Sequence, residues 1–253
     1  MQARDLCVRF GGLRALSNVT FAVAASELVG IIGPNGAGKT TLFHVLSGIV
    51  APSSGRLSFD GVDVTGRAPH QFCWRGIART FQTPRIFRAL TVLENVTFGA
   101  RFLHRRQKGA GRRSRVGTID ELARAALARV EMTGDASLQA SALPPARQRL
   151  LEIAMALATT PRLLLLDEVA AGLTESETEH VAGLIRGIQR ELGVAVIWIE
   201  HAVGTLLRAV DRMMVLDYGE LIADGAPAAV AADPRVVDAY LGSQAGGEEG
   251  GPR

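Results

Sequence analysis

The chain has 253 residues, a length that suits one large α/β unit with an inserted subdomain. Its 47% hydrophobic content is typical of a globular protein with a sizeable core, and a net charge of +3 is too mild to require a nucleic-acid partner. No apolar run reaches the ~20 residues of a bilayer crossing, the charged N-terminus predicts no secretion, and two distant cysteines fit neither a disulfide framework nor a zinc site.

Short β-rich runs dominate the start of the chain and enclose one continuous apolar run. The predicted paired strands are residues 7–10, 19–23, 56–59 and 62–64. Asp60-Gly61, between the last two, predicts a hairpin turn because glycine tolerates positive φ. Residues 28–32 are apolar throughout, as in a strand buried on both faces of a parallel sheet, and they lead through a glycine-rich loop into a helix over residues 40–46.

Helical patterns replace strand patterns in the middle of the chain. Segments rich in alanine and leucine predict helices over residues 120–130 and 151–158. Two later apolar runs, residues 163–166 and 194–199, predict further buried strands. Another helix begins after Thr174, which has the spacing of a capping box with the glutamate three positions on.

The loop between the buried strand and the first helix matches the phosphate-binding motif GxxxxGK[ST] in full. The predicted nucleotide-binding residues here are Gly33, Pro34, Asn35, Gly36, Ala37, Gly38, Lys39, Thr40 and Thr41. The glycines let backbone N–H groups turn toward phosphate oxygens, and the helix N-terminus adds its positive dipole end. Lys39 reaches the β- and γ-phosphates and Thr40 offers its hydroxyl to Mg²⁺, so the motif predicts binding of ATP with Mg²⁺. Of the 28 basic residues only Lys39 and Lys108 are lysines, which indicates a site that requires a compact ammonium.

Two carboxylates follow the apolar run of residues 163–166. Asp167 and Glu168 therefore stand at the carboxyl end of a buried strand, where open α/β sheets bind their ligands. In a chain with a phosphate-binding loop, Asp167 fits a partner of Mg²⁺, and Glu168 fits a base that orients or deprotonates the attacking water. His201, which follows the last buried strand, is a candidate sensor of the γ-phosphate. For the two carboxylates the alternative is an ordinary solvated strand end, and for His201 it is a surface or core residue without a role.

Together these patterns predict an α/β fold built on a P-loop NTPase core. Residues 1–90 and 161–242 supply a mostly parallel sheet and an N-terminal antiparallel β subdomain. Residues 91–160 form an inserted helical subdomain, and the glycine- and glutamate-rich residues 243–253 form a disordered tail.

With these motifs the chain resembles the nucleotide-binding domains of ABC transporters, and among them the ATPase subunits of branched-chain amino-acid importers. The similarity runs nearly end to end. The segments that carry it are residues 9–12, 33–40, 76–82, 90–96, 151–154, 167–168, 170–173, 200–201 and 239–242. The resemblance implies that Phe10 stacks on adenine, that Gln82 senses Mg²⁺ and the membrane partner, and that His201 is the switch histidine. For Phe10 and Gln82 the residues alone make no independent case.

The resemblance also implies an assembly at a membrane. The helical insertion would contact transmembrane permease subunits, a second related ATPase subunit would complete the pair, and a solute-binding protein would take part indirectly. The chain would then lie peripherally at the cytoplasmic face of the inner membrane and energise import of small polar solutes, branched-chain amino acids foremost. We expect no nucleic-acid partner, and we expect the basic residues 101–115 to form a solvated loop.

One segment departs from the family pattern. The family signature, roughly LSxGxQ, falls here on Leu143, Pro144, Pro145, Ala146, Arg147 and Gln148. Pro144 supplies no hydroxyl, neither proline supplies an N–H, and Ala146 adds a methyl group where the family brings the opposite subunit's nucleotide close. Loss of such donors at a phosphoryl-transfer site typically costs ~10²–10³ in rate per donor. Prolines at a helix start leave the fold intact.

The degenerate signature leaves three interpretations open. The first is an importer ATPase that works as a heterodimer, favoured over a homodimer, with a related subunit. The second is a regulatory subunit that binds ATP with little turnover, against which the intact Glu168 and His201 argue. The third is a soluble ABC ATPase outside transport, although such proteins generally carry tandem domains or long coiled coils.

Overall fold

The computed structural model describes residues 1–109, 118–200 and 203–245. The chain forms two compact units, one made of Met1–Phe72 and Ala195–Arg253, the other of Cys73–Val194. The predicted helical insertion, residues 91–160, falls within the second unit, and its boundaries stay a prediction. Among the described residues, no helix combines the length and the apolar character needed to cross a bilayer.

The elements alternate between strands and helices for most of the chain. In chain order they are β1 (Gln2–Phe10), β2 (Leu13–Ala22), β3 (Leu28–Ile32), α1 (Lys39–Leu46), β4 (Ser54–Phe59), β5 (Val62–Asp63), α2 (Pro69–Arg75), β6 (Ile77–Arg79), α3 (Val92–Gly109), α4 (Ile119–Arg129), α5 (Pro145–Leu157), β7 (Leu163–Asp167), α6 (Glu175–Leu192), β8 (Ala195–Ile199), α7 (Val203–Ala209), β9 (Arg212–Asp217), β10 (Glu220–Gly225), α8 (Pro227–Ala231) and α9 (Pro234–Ala245). Two short 3₁₀ turns, Thr133–Asp135 and Ala140–Ala142, precede α5.

The antiparallel sheet of the first unit confirms the predicted N-terminal β subdomain. Its strand order is β2-β1-β4-β5, and Phe10 pairs with Leu13 at the tip of the first hairpin. Asp60 and Gly61 both have positive φ, 56° and 72°, so they form the turn that the sequence predicts between β4 and β5. β1 and β2 begin five and six residues before the predicted starts, because their exposed faces carry polar residues that mask the pattern.

The parallel strands of the first unit confirm the predicted α/β class. β3 runs parallel to both β8 and β9, and β10 adds to β9 in the antiparallel sense. Every residue of β3 and of β8 is buried, as the continuous apolar runs predict. The sequence analysis predicts no β9–β10 hairpin, because polar and apolar residues alternate only weakly along β10. The turn between the two strands lies at Tyr218 and Gly219.

The second unit pairs a short parallel ladder, β6 with β7, with the helices α3 to α6. Thr174 and Glu177 form the predicted capping box at the start of α6, which ends where Gly193 takes a left-handed conformation. The sequence analysis predicts no bounds for α3. Among its residues with described burial, the fully buried apolar ones are Val92, Val96 and Ala100, and the sequence from residue 104 to 108 is polar.

Some predicted features lie outside the described residues. His201 is one, residues 110–115 of the basic run are another, and residues 246–253 of the predicted tail are the third. The prediction of a loop is wrong for residues 101–109 of the basic run, which continue helix α3 because arginine, leucine, glutamine and lysine are good helix formers. Helix α9 continues to Ala245, so the first three residues of that tail belong to a helix.

Candidate functional site

Glycines shape the phosphate-binding loop in the first unit. Gly33, directly after β3, has φ +152°, and a Cβ there would lie 2.1 Å from the backbone oxygen of Leu216. Gly38 has φ +100° at the N-cap of α1, where a Cβ would lie 2.7 Å from the oxygen of Ala15. Both positions therefore require glycine for steric and conformational reasons.

Lys39 is held inside this loop by neutral acceptors. Its Nζ atom donates to the backbone oxygens of Gly33 at 2.6 Å and Pro34 at 2.9 Å, and the residue is buried. The first turn of α1 carries no acidic residue, while Thr40 is exposed at its start. These hydrogen bonds keep the ammonium at the N-terminus of α1, a position suited to an anion such as phosphate.

The turn between β9 and β10 braces the loop from the other side. The N–H of Gly219 donates to the oxygen of Ala37 at 2.9 Å, and the oxygen of Gly219 accepts from the N–H of Ser17 at 2.8 Å. No sequence prediction includes this turn.

Phe10, at the tip of the β1–β2 hairpin, is 51% exposed, so its ring presents an accessible face of the kind that stacks on a base.

In the second unit, β7 delivers the two predicted carboxylates to its end. Oδ2 of Asp167 lies 2.7 Å from Nη2 of Arg79 on β6, and the side chains of this pair are 6% and 7% exposed. The backbone N–H of Asp167 donates to the hydroxyl of Thr80 at 3.2 Å. Arg79 is a partner that the sequence analysis missed, because the three-residue strand carrying it has no recognisable pattern.

Glu168 is buried in an unusual backbone conformation. Its φ of +49° is left-handed, which costs a non-glycine residue free energy and is found preferentially at functional positions. The Nε2 atom of Gln82 donates to Oε2 of Glu168 at 2.7 Å. The structure thus brings together the loop glutamine and the proposed base, two residues that lie far apart in the sequence.

The degenerate signature forms the start of α5. Pro144 is the N-cap, with φ −64° and ψ 159°, and makes no side-chain capping bond, while Pro145 occupies the first helical turn. The side chain of Gln148 donates to the oxygen of Leu143 at 2.8 Å, and Arg147 pairs with Asp135 at 3.1 Å. The helix start is intact, as the sequence predicts. It offers no hydroxyl at position 144 and no backbone N–H at positions 144 and 145, because both residues are prolines.

The sequence analysis also assigns no role to two residues of α5. Arg149 and Glu152 contact the segment around Gln82. Burial raises the pKa of Glu152 to about 7, even though the backbone N–H groups of Arg85 and Phe81 lower it. An acidic residue on the buried face of the predicted helix 151–158 is the signal that could have indicated it.

The comparisons with known proteins agree with this geometry. Residues 16–171 match the family model described as ABC transporter, and residues 220–246 match one described as branched-chain amino acid ATP-binding cassette transporter. Among curated proteins, the high-affinity branched-chain amino acid transport ATP-binding protein BraF of Pseudomonas aeruginosa is 37% identical over 96% of this chain and 97% of its own length. The corresponding protein LivG of Escherichia coli is 35% identical, with 96% and 97% covered.

Solved structures point to the same family. An ATP-binding cassette of an ABC transporter in its ADP conformation is 29% identical, with a TM-score of 0.84 over 95% of this chain and 98% of that one. A nucleotide-free cassette is 28% identical, with a TM-score of 0.83 over 94% and 97%. The chain therefore belongs to the ABC transporter family and is an ATPase of the ATP-binding-cassette type.

Proposed function

We propose that this chain hydrolyses ATP to energise a membrane importer of branched-chain amino acids. The observation that carries the proposal is the 2.7 Å bond between Gln82 and Glu168. This bond links the residue that fits the catalytic base to the loop that, by resemblance, meets the permease. A signal from the permease that moves the loop would alter the position of the base directly.

The proposed roles follow the chemistry of each side chain. Lys39 binds the β- and γ-phosphates, and Phe10 stacks on adenine. Thr40, Gln82 and Asp167 supply oxygen atoms of the kind that Mg²⁺ prefers, and the bound ion would neutralise charge on the phosphates.

Two further residues act on the transferred group. Glu168 orients or deprotonates the attacking water, and its burial in a hydrogen-bonded position favours that task. His201 would sense the γ-phosphate.

The cargo and the partners come from the relatives. BraF and LivG are named as branched-chain amino acid transport ATP-binding proteins, and similarity over nearly the whole chain supports the same solute class here. We infer transmembrane permease subunits as direct partners and a solute-binding protein as an indirect one. The chain would work peripherally, at the cytoplasmic face of the inner membrane.

The start of α5 supports a heterodimer with a related ATPase. Pro144 and Pro145 lack the donors with which the family binds the opposite subunit's nucleotide, and Ala146 adds a methyl group there. A partner with an intact signature would complete the nucleotide site at this chain's phosphate-binding loop. The same observation supports a second candidate function, an ATP-binding regulatory subunit with little turnover of its own.

Transport by the reconstituted complex tests both candidates. The chain, its permease and its partner ATPase are assembled in proteoliposomes, and uptake of labelled leucine is measured alongside ATP hydrolysis. The importer ATPase predicts that Glu168→Gln lowers both rates by ~10²–10⁴-fold. The regulatory subunit predicts that both rates survive this substitution, and absence of uptake with every branched-chain amino acid would reject the assigned cargo.

A further inference from the structure

Two side chains of helix α5 bind the backbone of residues 81–85, the segment called here the Gln82 loop. The carboxylate of Glu152 accepts the N–H of Phe81 through Oε2 at 3.3 Å and the N–H of Arg85 through Oε1 at 2.9 Å. These two amides flank Gln82 on either side. One carboxylate therefore fixes both ends of the short segment that carries the glutamine.

Arg149, one turn earlier on the same helix, binds the middle of that segment. Its Nη1 atom donates to the backbone oxygen of Gln82 at 3.0 Å. Its Nη2 atom donates to the backbone oxygen of Ala171 at 3.1 Å, in the segment that follows Glu168. A single guanidinium thus connects the loop of the glutamine with the loop of the proposed base.

The arrangement is specific to these side-chain types. In these contacts Glu152 accepts from N–H groups, whereas Arg149, which offers only donors, donates to carbonyl groups. Glu152 is 5% exposed, a costly position for a carboxylate that its hydrogen bonds to the loop offset. A side chain needed only for packing at this position would be apolar.

We propose that Arg149 and Glu152 are positioning residues that set the distance between Gln82 and Glu168, and that through them the start of α5 controls the geometry of hydrolysis. The proposal rests on the proposed roles of Gln82 and Glu168. Because α5 begins at Pro145, contact of a partner subunit with the signature would reach the Gln82 loop through one rigid helix. The degenerate signature would then still influence the position of the Gln82 loop, even if it binds nucleotide poorly.

Amide hydrogen exchange of the purified full-length chain tests the contact itself. The variants are Glu152→Gln and Arg149→Met. Their matched controls, Glu191→Gln and Arg129→Met, break an ion pair of 2.8 Å in the same unit that does not touch the loop. We expect exchange of the amides of Phe81 and Arg85 to accelerate about tenfold in the first two variants and to stay unchanged in the controls. Equal protection in Glu152→Gln and wild type, at unchanged melting temperature, would overturn the proposal.

Kinetics of the assembled complex test the consequence. Both variants should lower kcat by about tenfold and leave the KM for ATP within about twofold, because the loss falls on geometry rather than on nucleotide binding. Arg149→Lys should restore part of kcat, since one ammonium replaces one of the two bonds. A raised KM with normal kcat would assign both residues to nucleotide affinity instead and reject positioning.

The two readouts separate this proposal from the proposed function. If the wild-type complex binds Mg-ATP without turning it over, the assigned roles of Glu168 and Gln82 fail, whereas the exchange measurement still decides whether α5 holds the loop. If wild-type turnover is normal and neither exchange nor kcat responds to the variants, only the positioning role fails.

Discussion

Nη2 of Arg79 and Oδ2 of Asp167 lie 2.7 Å apart, with both side chains almost fully buried. The pair joins β6 to β7 and places a fixed positive charge beside the carboxylate that we propose as a partner of Mg²⁺. Arg79 also lies 5.3 Å from the ring centre of Phe81, next to Gln82. One arginine therefore connects the strand end that carries Asp167 with the start of the glutamine loop.

Removing one member of this pair should destabilise the protein strongly. Arg79→Met leaves Asp167 buried without its countercharge, which typically costs about 3–5 kcal/mol. The double variant Arg79→Met/Asp167→Asn should lose less than the sum of the two single variants, because neither charge is then left unpaired. Urea denaturation of the full-length chain gives the four free energies of unfolding.

The control for that cycle is an exposed pair of the same kind. Arg124 and Asp120 are also 2.7 Å apart, but their side chains are 56% and 61% exposed. Arg124→Met should therefore change the free energy of unfolding little. Strict additivity in the Arg79–Asp167 cycle would contradict a direct interaction.

The raised pKa of Glu152 predicts that the free energy of unfolding falls as the pH rises toward neutrality. Burial raises its pKa from 4.5 to about 7, so between these values the folded state binds more protons than the unfolded state. The stabilising contribution of the neutral carboxyl is full below the unfolded pKa and is lost as the pH rises through about 7. The positive charges of Arg149 and Arg85 lower the pKa of Glu152, but burial has the larger effect. Denaturation curves from pH ~5 to ~8 should show this slope in wild type. Glu152→Gln should flatten it, and an unchanged slope would assign it to another group.

Lys39 should be irreplaceable for nucleotide binding, even by arginine. Its ammonium donates to the backbone oxygens of both Gly33 and Pro34, a role that suits a compact point charge better than a planar guanidinium. We expect Lys39→Ala and Lys39→Arg to weaken ATP affinity by about 100-fold or more, and Glu168→Gln to preserve it. Isothermal titration at matched Mg²⁺ measures all three, and wild-type affinity in Lys39→Ala would remove this lysine from the phosphate site.

The local sequence predicts the parts of the fold that rest on local physics. Continuous apolar runs identify β3, β7 and β8 because burial on both faces leaves no polar position. The loop around Lys39 is equally clear, since its glycine positions follow from backbone geometry.

What the sequence does not reveal depends on contacts between distant segments. Arg79 finds Asp167 across 88 positions, and Glu152 finds the N–H of Phe81 across 71. Neither arginine nor glutamate at those positions forms a pattern of its own. The contact between the side-chain amide of Gln82 and Glu168 likewise joins segments 86 positions apart.

The purified chain alone should be monomeric or weakly associating, and a poor ATPase. In a symmetric homodimer both sites would face Pro144, Pro145 and Ala146, which supply too few donors to hold a γ-phosphate. Size-exclusion chromatography with light scattering, with and without Mg-ATP, measures association. An ATP-induced homodimer with a turnover of about 10 per second or more would mean that this segment functions as it stands.

Repair of the signature should raise activity in the heterodimer. Pro144→Ser restores a hydroxyl, Ala146→Gly removes a methyl group, and Pro145→Gly returns an N–H. If the start of α5 closes the partner's site, the triple variant should accelerate the slower of the two sites by ~10²-fold or more. A chain that no longer takes part in transport would show no gain.

Asymmetry between the two sites is the final prediction, and it follows from how the family divides each site between subunits. This chain carries both Lys39 and Glu168, but its own signature is poor. Paired with a subunit whose signature is intact, it builds one competent site at its own phosphate loop and one slow site at the partner's. Glu168→Gln in this chain should therefore remove most of the heterodimer's turnover, and the equivalent change in the partner should remove little. Steady-state ATP hydrolysis by the reconstituted complex, measured for each variant, decides the matter: if the partner's carboxylate is the dominant one, the asymmetric arrangement is wrong.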